Sequence, residues 1–152
     1  MVKQRSGPVA PEQDAFLAIQ RAADALMSDL GEVLKPAEVS PTQYNVLRIL
    51  RGAEAGCEAG LACGEIAGRM ITREPDMTRL LDRLERRGLI ARSRSTEDRR
   101  VVRARITPAG LKLLAGLDGP VRDAHGRQFA HVPAAKLRQL TKLLSDVRGG
   151  NK

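Results

Sequence analysis

Aromatic side chains are nearly missing from this 152-residue sequence: Phe16, Tyr44 and Phe129 are the only three, and there is no tryptophan. Proteins that bind single-stranded nucleic acid stack bases on aromatic rings, so a chain this poor in rings is excluded from that class. No apolar run approaches the roughly 20 residues needed to span a bilayer. The opening residues, Met1 to Pro8, are basic but lack an apolar stretch and a cleavage pattern, so no secretory signal is read and a cytoplasmic address is expected. Cysteine is scarce as well. Cys57 and Cys63 lie too close together for a useful bridge and are too few for a disulfide framework, which predicts reduced thiols. There is no Gly-rich phosphate loop, no His-Glu-x-x-His and no Gly-x-Ser-x-Gly. His125 and His131 match no common zinc spacing with the cysteines. No catalysis, metal or cofactor is indicated.

Positive charge is what the chain has in excess. Lys and Arg total 26 against 18 Asp and Glu, a net charge of +8, and polyanions are the natural partner. The excess is local: from Arg69 to Arg105 there are twelve Arg, no Lys and six acids. A guanidinium makes paired hydrogen bonds to phosphate or to the O6/N7 edge of guanine, so an all-arginine cluster suits double-stranded DNA. The competing reading is a solvated face in which Asp82, Glu85 and neighbouring arginines form ordinary helical ion pairs. It fits any single arginine better than it fits twelve together.

Periodicity predicts one domain over residues 1–152, with no internal repeat. Phe16, Ile19, Ala23, Leu26, Met27 and Leu30 mark a first amphipathic helix from Pro11, ending near Gly31. Ser40-Pro41 is a cap with proline at the first helical position, and Tyr44, Leu47, Ile49 and Leu50 carry a second helix to Gly52. A Gly/Ala-rich loop leads to a brief third helix, Leu61 to Met70. A turn then brings Pro75 into the first turn of a fourth helix, whose stripe is Met77, Leu80, Leu81 and Leu84 and whose stop is Gly88. From Leu89 to Ile106 the period falls to two around a polar turn, a β-hairpin with Val102, Ala104 and Ile106 on one face. Thr107-Pro108 opens a fifth helix, where Gly116, Gly119 and Pro120 predict a bend or break. A last helix carries Leu137, Leu140, Leu144 and Val147.

This order describes a mainly α fold with a small β-hairpin wing, a winged helix-turn-helix whose fourth helix enters the major groove near its N-terminus. The groove-facing candidates are Thr72, Arg73, Pro75, Asp76, Thr78, Arg79 and Arg83, whereas Arg86 and Arg87 suit phosphate or intramolecular partners.

Gln43 to Leu50, Gly64 to Ala67, Met77 to Ile90, Asp98 to Arg100 and Ile106 to Gly110, taken in order over Ser40 to Leu114, resemble the MarR family of bacterial transcriptional regulators. The resemblance implies a homodimeric regulator, a repressor by expectation. Residues 10–36 and 108–148 would supply its dimerisation helices, and 40–107 the DNA-binding lobe for a near-palindromic operator. It also implies that Asp98 supports the wing by pairing with a nearby Arg, and that Arg99 or Arg100 enters the minor groove. Where the family usually has small hydroxyl residues before the recognition helix, this chain has Arg73-Glu74-Pro75-Asp76. Asp76 then either accepts from cytosine N4 or complements the helix N-terminus. Family members commonly bind small anionic aromatic or lipophilic molecules in a crevice beside the dimerisation helices. The candidates here are Phe16 and Tyr44 as walls and Arg21 or Arg48 as anion partners, against plain core roles for the two rings. Two alternatives stand beside this reading: a nonspecific nucleoid-type DNA binder, and a thiol-based redox sensor using Cys57 and Cys63. The redox-sensing members place the reactive cysteine on the first helix, where this chain has none, which favours bystander thiols.

Overall fold

The computed structural model describes residues 9–56 and 59–149, so Cys57 lies outside the described residues. Helix α1 spans Pro11–Leu34 and passes through a short 3-10 turn at Lys35–Ala37 into α2, Pro41–Ala53. Strand β1 (Leu61–Ala62), α3 (Cys63–Arg69) and α4 (Met77–Arg86) follow, then β2 (Ile90–Arg94), β3 (Val102–Ile106), α5 (Pro108–Gln128) and α6 (Ala134–Gly149).

The starts of α2 and α5 follow directly from their caps. Ser40 Oγ accepts from the Gln43 N–H at 3.1 Å, and Gln43 Oε1 accepts from the Ser40 N–H at 3.0 Å, a reciprocal capping box. Thr107 Oγ1 accepts from the Gly110 N–H at 3.1 Å while donating to Gly88 O at 2.6 Å, which ties the start of α5 to the end of the α4 turn. At α4 the cap is Asp76, whose Oδ1 accepts from the Arg79 N–H at 3.1 Å. Pro75 therefore precedes the helix instead of lying in its first turn. At the other end Gly88 takes a φ of +70°, the left-handed residue that closes a helix at low cost.

As expected, α1 ends near Gly31, at Leu34; Leu30, Val33 and the fully buried Leu34 pack on the core, and this burial outweighs the cost of a helical glycine. The α ladder stops where Pro36 has no N–H to donate. Three further expectations are corrected. Of the bend or break expected at Gly116, Gly119 and Pro120, the break is absent: α5 runs as one helix from Pro108 to Gln128, with Leu114, Leu117, Val121 and Ala124 buried. The third helix, expected from Leu61 to Met70, runs only over Cys63–Arg69, and Leu61–Ala62 form strand β1 instead, too short for a period to mark it. This strand pairs antiparallel with β3, Leu61 opposite Ala104 and Ala62 opposite Arg103, which makes β3 the centre of a three-stranded sheet. Finally, Val102 is exposed, since it sits at the hairpin tip beyond the core that buries Ala104 and Ile106.

The core joins one face of every element of the lobe. Val46, Leu47 and Leu50 of α2, Ile66 of α3, and Met77, Leu80, Leu81 and Leu84 of α4 meet Leu61, Leu89, Ile90, Ala104 and Ile106 of the sheet region. Leu34 and Leu114 bring α1 and α5 onto the same cluster. At about 1.5–3 kcal/mol for each fully buried large side chain, this face fixes α4 and leaves its other side outward. Among the described residues of α6 none is fully buried, and only Leu137 is half-buried.

Candidate nucleic-acid interface

Burying Met77, Leu80, Leu81 and Leu84 turns Arg79, Arg83 and Arg86 outward, at successive turns of the helix. All of Thr72, Arg73, Pro75, Asp76, Thr78, Arg79, Arg83, Asp98, Arg99 and Arg100 are exposed. The start of α2 adds residues that the sequence reading missed. Ser40, Thr42 and Gln43 share a cleft of about 290 Å³ with Glu74, Asp76, Arg79 and Arg83. Its signal was present in the Ser40-Pro41 cap, which places a helix N-terminus there.

The twelve arginines separate into two groups. Arg87 donates to Glu38 O at 2.6 Å and Ala37 O at 2.9 Å, joining the end of α4 to the α1–α2 connection. Arg92 binds both Asp82 and Glu85. Arg94 Nη1 donates to Arg99 O at 2.9 Å, and Arg103 Nη1 reaches Gly60 O and Glu65 Oε2, each at 3.2 Å. The side chains of Arg69, Arg73, Arg79, Arg83, Arg86, Arg99, Arg100 and Arg105 enter no hydrogen bond or ion pair among the described residues. Asp82 and Glu85 thus pair across to a strand, not along their own helix as the competing sequence reading had it. The hydrogen bond from Arg92 holds the Glu85 carboxyl below the usual range, so Glu85 stays ionised beside the guanidinium it shares with Asp82.

The acids of the recognition segment are also committed. Glu74 Oε1 accepts from the Asp76 N–H at 3.0 Å, and Asp76 serves as the helix cap. Of the two roles open to Asp76, the structure shows the one at the helix terminus. In the wing, Asp98 Oδ1 accepts from the Arg100 backbone N–H at 3.0 Å, an Asx-type turn. Asp98 makes no ion pair among the described residues, so the expected side-chain pairing with an arginine is replaced by a main-chain bond.

A crevice of about 230 Å³ opens between α1, α2, α5 and the α3–α4 turn, lined by Met27, Leu30, Tyr44, Asn45, Arg48, Ile71, Thr72 and His125 among others. The Arg48 guanidinium sits 5.8 Å from the centre of the Tyr44 ring, a cation–π contact. Asn45 Oδ1 accepts from the Ile71 N–H at 3.1 Å, so one wall is bonded to the chain entering α4. Of the four ligand candidates, Tyr44 and Arg48 lie here, while Phe16 and Arg21 do not line it. Phe16 is 60% exposed on α1, which overturns a core role within the chain. Cys63 is half-buried in the first turn of α3 against the core.

A family model described as the MarR family matches residues 39–102, the segment from the α2 cap to β3. The crystal structure of a MarR transcription factor from Planctomyces limnophilus is 42% identical, covers 90% of this chain and 97% of its own, and superposes with a TM-score of 0.70. The homoprotocatechuate degradative operon repressor of Escherichia coli is 27% identical over 130 residues, 86% of this chain and 84% of that protein. A variant of the E. coli MarR protein, solved with operator DNA, is 25% identical with a TM-score of 0.76, covering 86% of this chain and 90% of its own. With the winged lobe and the outward arginine face already in place, the chain belongs to the MarR family, the winged-helix DNA-binding regulators of transcription.

Proposed function

We propose that the chain is a repressor that binds a near-palindromic operator as a homodimer, and that a small anionic aromatic or lipophilic ligand releases it. The observation that carries this reading is the set of arginines on the outer face of α4 and at the wing tip whose side chains are unpaired among the described residues, opposite a buried apolar face. α4 enters the major groove with Thr72, Arg73, Pro75, Asp76, Thr78, Arg79 and Arg83 near the bases, and Arg99 and Arg100 reach the flanking minor groove, where narrow A·T-rich DNA concentrates negative potential. Residues 40–107 form the reading lobe. Residues 10–36 and 108–148 form the dimer frame, because Phe16, Ile19 and Met27 of α1 and Leu140, Leu143, Leu144 and Val147 of α6 expose apolar surface of the kind that partners cover. A ligand in the Tyr44–Arg48 crevice would act on the turn into α4 through Asn45 and Ile71.

The test begins with fragments selected from genomic DNA, titrated at one fixed salt. Arg79→Ala should weaken binding and relax base preference, while Arg99→Ala and Arg100→Ala should lower affinity at flanking positions. Equal affinity of all three variants and the parent refutes the interface. Uniform affinity across sequences would instead indicate a nucleoid-type binder, because an operator-specific protein discriminates by about 4–10 kcal/mol. Sedimentation should give twice the 16.5 kDa chain mass at micromolar concentration, and a monomer would remove the palindrome.

A further inference from the structure

The two acids of α4 that face the sheet are both held by one arginine of the wing. Arg92 on β2 donates from Nη2 to Asp82 Oδ1 and, at 3.1 Å, to Glu85 Oε1. Its backbone N–H donates to Glu85 Oε2 at 2.9 Å, so Glu85 grips the side chain and the main chain of the same strand residue. The Arg92 side chain is 22% exposed and its partners about twice that, which shields the cluster more than an open surface pair.

Two residues further on, the hairpin is stiffened again. Arg94 Nη1 donates to Arg99 O, the Ser95 N–H donates to Val101 O at 2.8 Å, and Asp98 Oδ1 receives the Arg100 N–H. Directional bonds therefore run without a gap from α4 through Arg92 to the tip, while the Arg99 and Arg100 side chains have no partner of their own among the described residues. At about 3.3 Å per strand residue the tip lies roughly 15 Å from Arg92. A tilt of about 10° there moves the tip by about 3 Å, more than a hydrogen bond tolerates.

We infer that Arg92 is a positioning residue that sets the wing against α4, so that Arg99 and Arg100 meet the flanking DNA in register with Arg79 and Arg83. It also offsets part of the negative charge of two carboxylates that would otherwise stand unpaired beside the same polyanion. This rests on the wing contacts proposed above, so the experiment separates the two readings.

Full-length protein is titrated against duplexes of the selected operator, altered either at central half-site positions or at the flanks. Arg92→Met should lose about tenfold in flank discrimination while keeping its central preference, and its salt slope should fall by up to about 2. Arg92→Lys, which keeps a charge able to reach both acids, should recover most of that loss. In an Arg99→Ala/Arg100→Ala background, Arg92→Met should cost no further flank discrimination, the signature of action through the tip. A uniform loss over all duplexes, or the same flank loss in the tip-deleted background, overturns the inference and leaves the wing contacts standing. Operator binding by Arg99→Ala/Arg100→Ala indistinguishable from the parent overturns the wing reading and this inference with it. If Arg92→Met does not fold, Asp82→Asn takes its place, with a smaller flank loss expected and an unchanged flank preference refuting it.

Discussion

Replacing Gly110 by alanine should destabilise the protein although it improves helix propensity. Gly110 sits in the first turn of α5 with its N–H on Thr107, buried where α5 crosses the base of the wing. A Cβ there would lie 2.3 Å from the Leu89 carbonyl oxygen and 2.6 Å from Ile106 Cγ1, against an ordinary contact of 3.4–4 Å. The nearest atom is backbone, so relief requires moving the helix or the start of the wing by about 1 Å instead of turning a side chain. Overpacking of this kind costs about 1–3 kcal/mol, and the backbone clash puts it at the upper end. The helix gains about 1 kcal/mol from alanine over glycine, leaving a net loss of about 2 kcal/mol. Gly126 is the control: it is also inside α5, is exposed, and a Cβ there meets nothing within 4 Å. Gly126→Ala should therefore stabilise by up to about 1 kcal/mol. Thermal unfolding followed by circular dichroism, at one protein concentration to hold any association constant, should lower Tm by about 4–8 °C for Gly110→Ala and raise it slightly for Gly126→Ala. A Tm for Gly110→Ala equal to or above that of the parent refutes the packing argument.

Asp118 on α5 makes a two-pronged pair with Arg51 on α2, at 2.9 and 3.0 Å, and the Arg51 bond holds its carboxyl below the ordinary value. A lowered carboxylate stabilises above its unfolded pKa of about 3.9 and loses that contribution as pH falls through the folded value. With Asp118 46% exposed, Asp118→Asn should cost only about 0.5 kcal/mol at pH 7, and urea titrations should show the difference closing below pH 4; an undiminished difference at pH 2 contradicts the assignment. Ser40→Ala removes one half of the capping box and should cost about 1 kcal/mol in the same titration, with Ser40→Asp recovering most of it. No loss in Ser40→Ala would mean that the α2 start is held by packing alone.

Local chemistry made much of this fold legible. Caps and prolines act over three or four positions, so Ser40-Pro41 and Thr107-Pro108 announced α2 and α5, and the stripe of Met77, Leu80, Leu81 and Leu84 announced both the buried and the outward face of α4. The arginine surplus between Arg69 and Arg105 was likewise plain in the residue order. Glycine and proline are poor guides to a helix break where burial intervenes. Gly31 and Pro120 carry local costs that Leu34, Leu117 and Val121 offset only because other helices cover them. Phe16 misled in the opposite sense, since a ring on an amphipathic stripe reads as core until the rest of the chain fails to cover it.

The sequence by itself determined where the helices start, which face of α4 is apolar, and that the positive charge gathers around α4 and the hairpin. The tertiary structure decided which of those arginines are free. Arg87 answers carbonyls about 50 positions away, and Arg103 answers Glu65 at a separation of 38. Arg92 crosses from strand to helix to hold two acids. A guanidinium is available to DNA only if no folded neighbour has already taken it, and those neighbours are set by packing between distant segments, not by spacing along the chain.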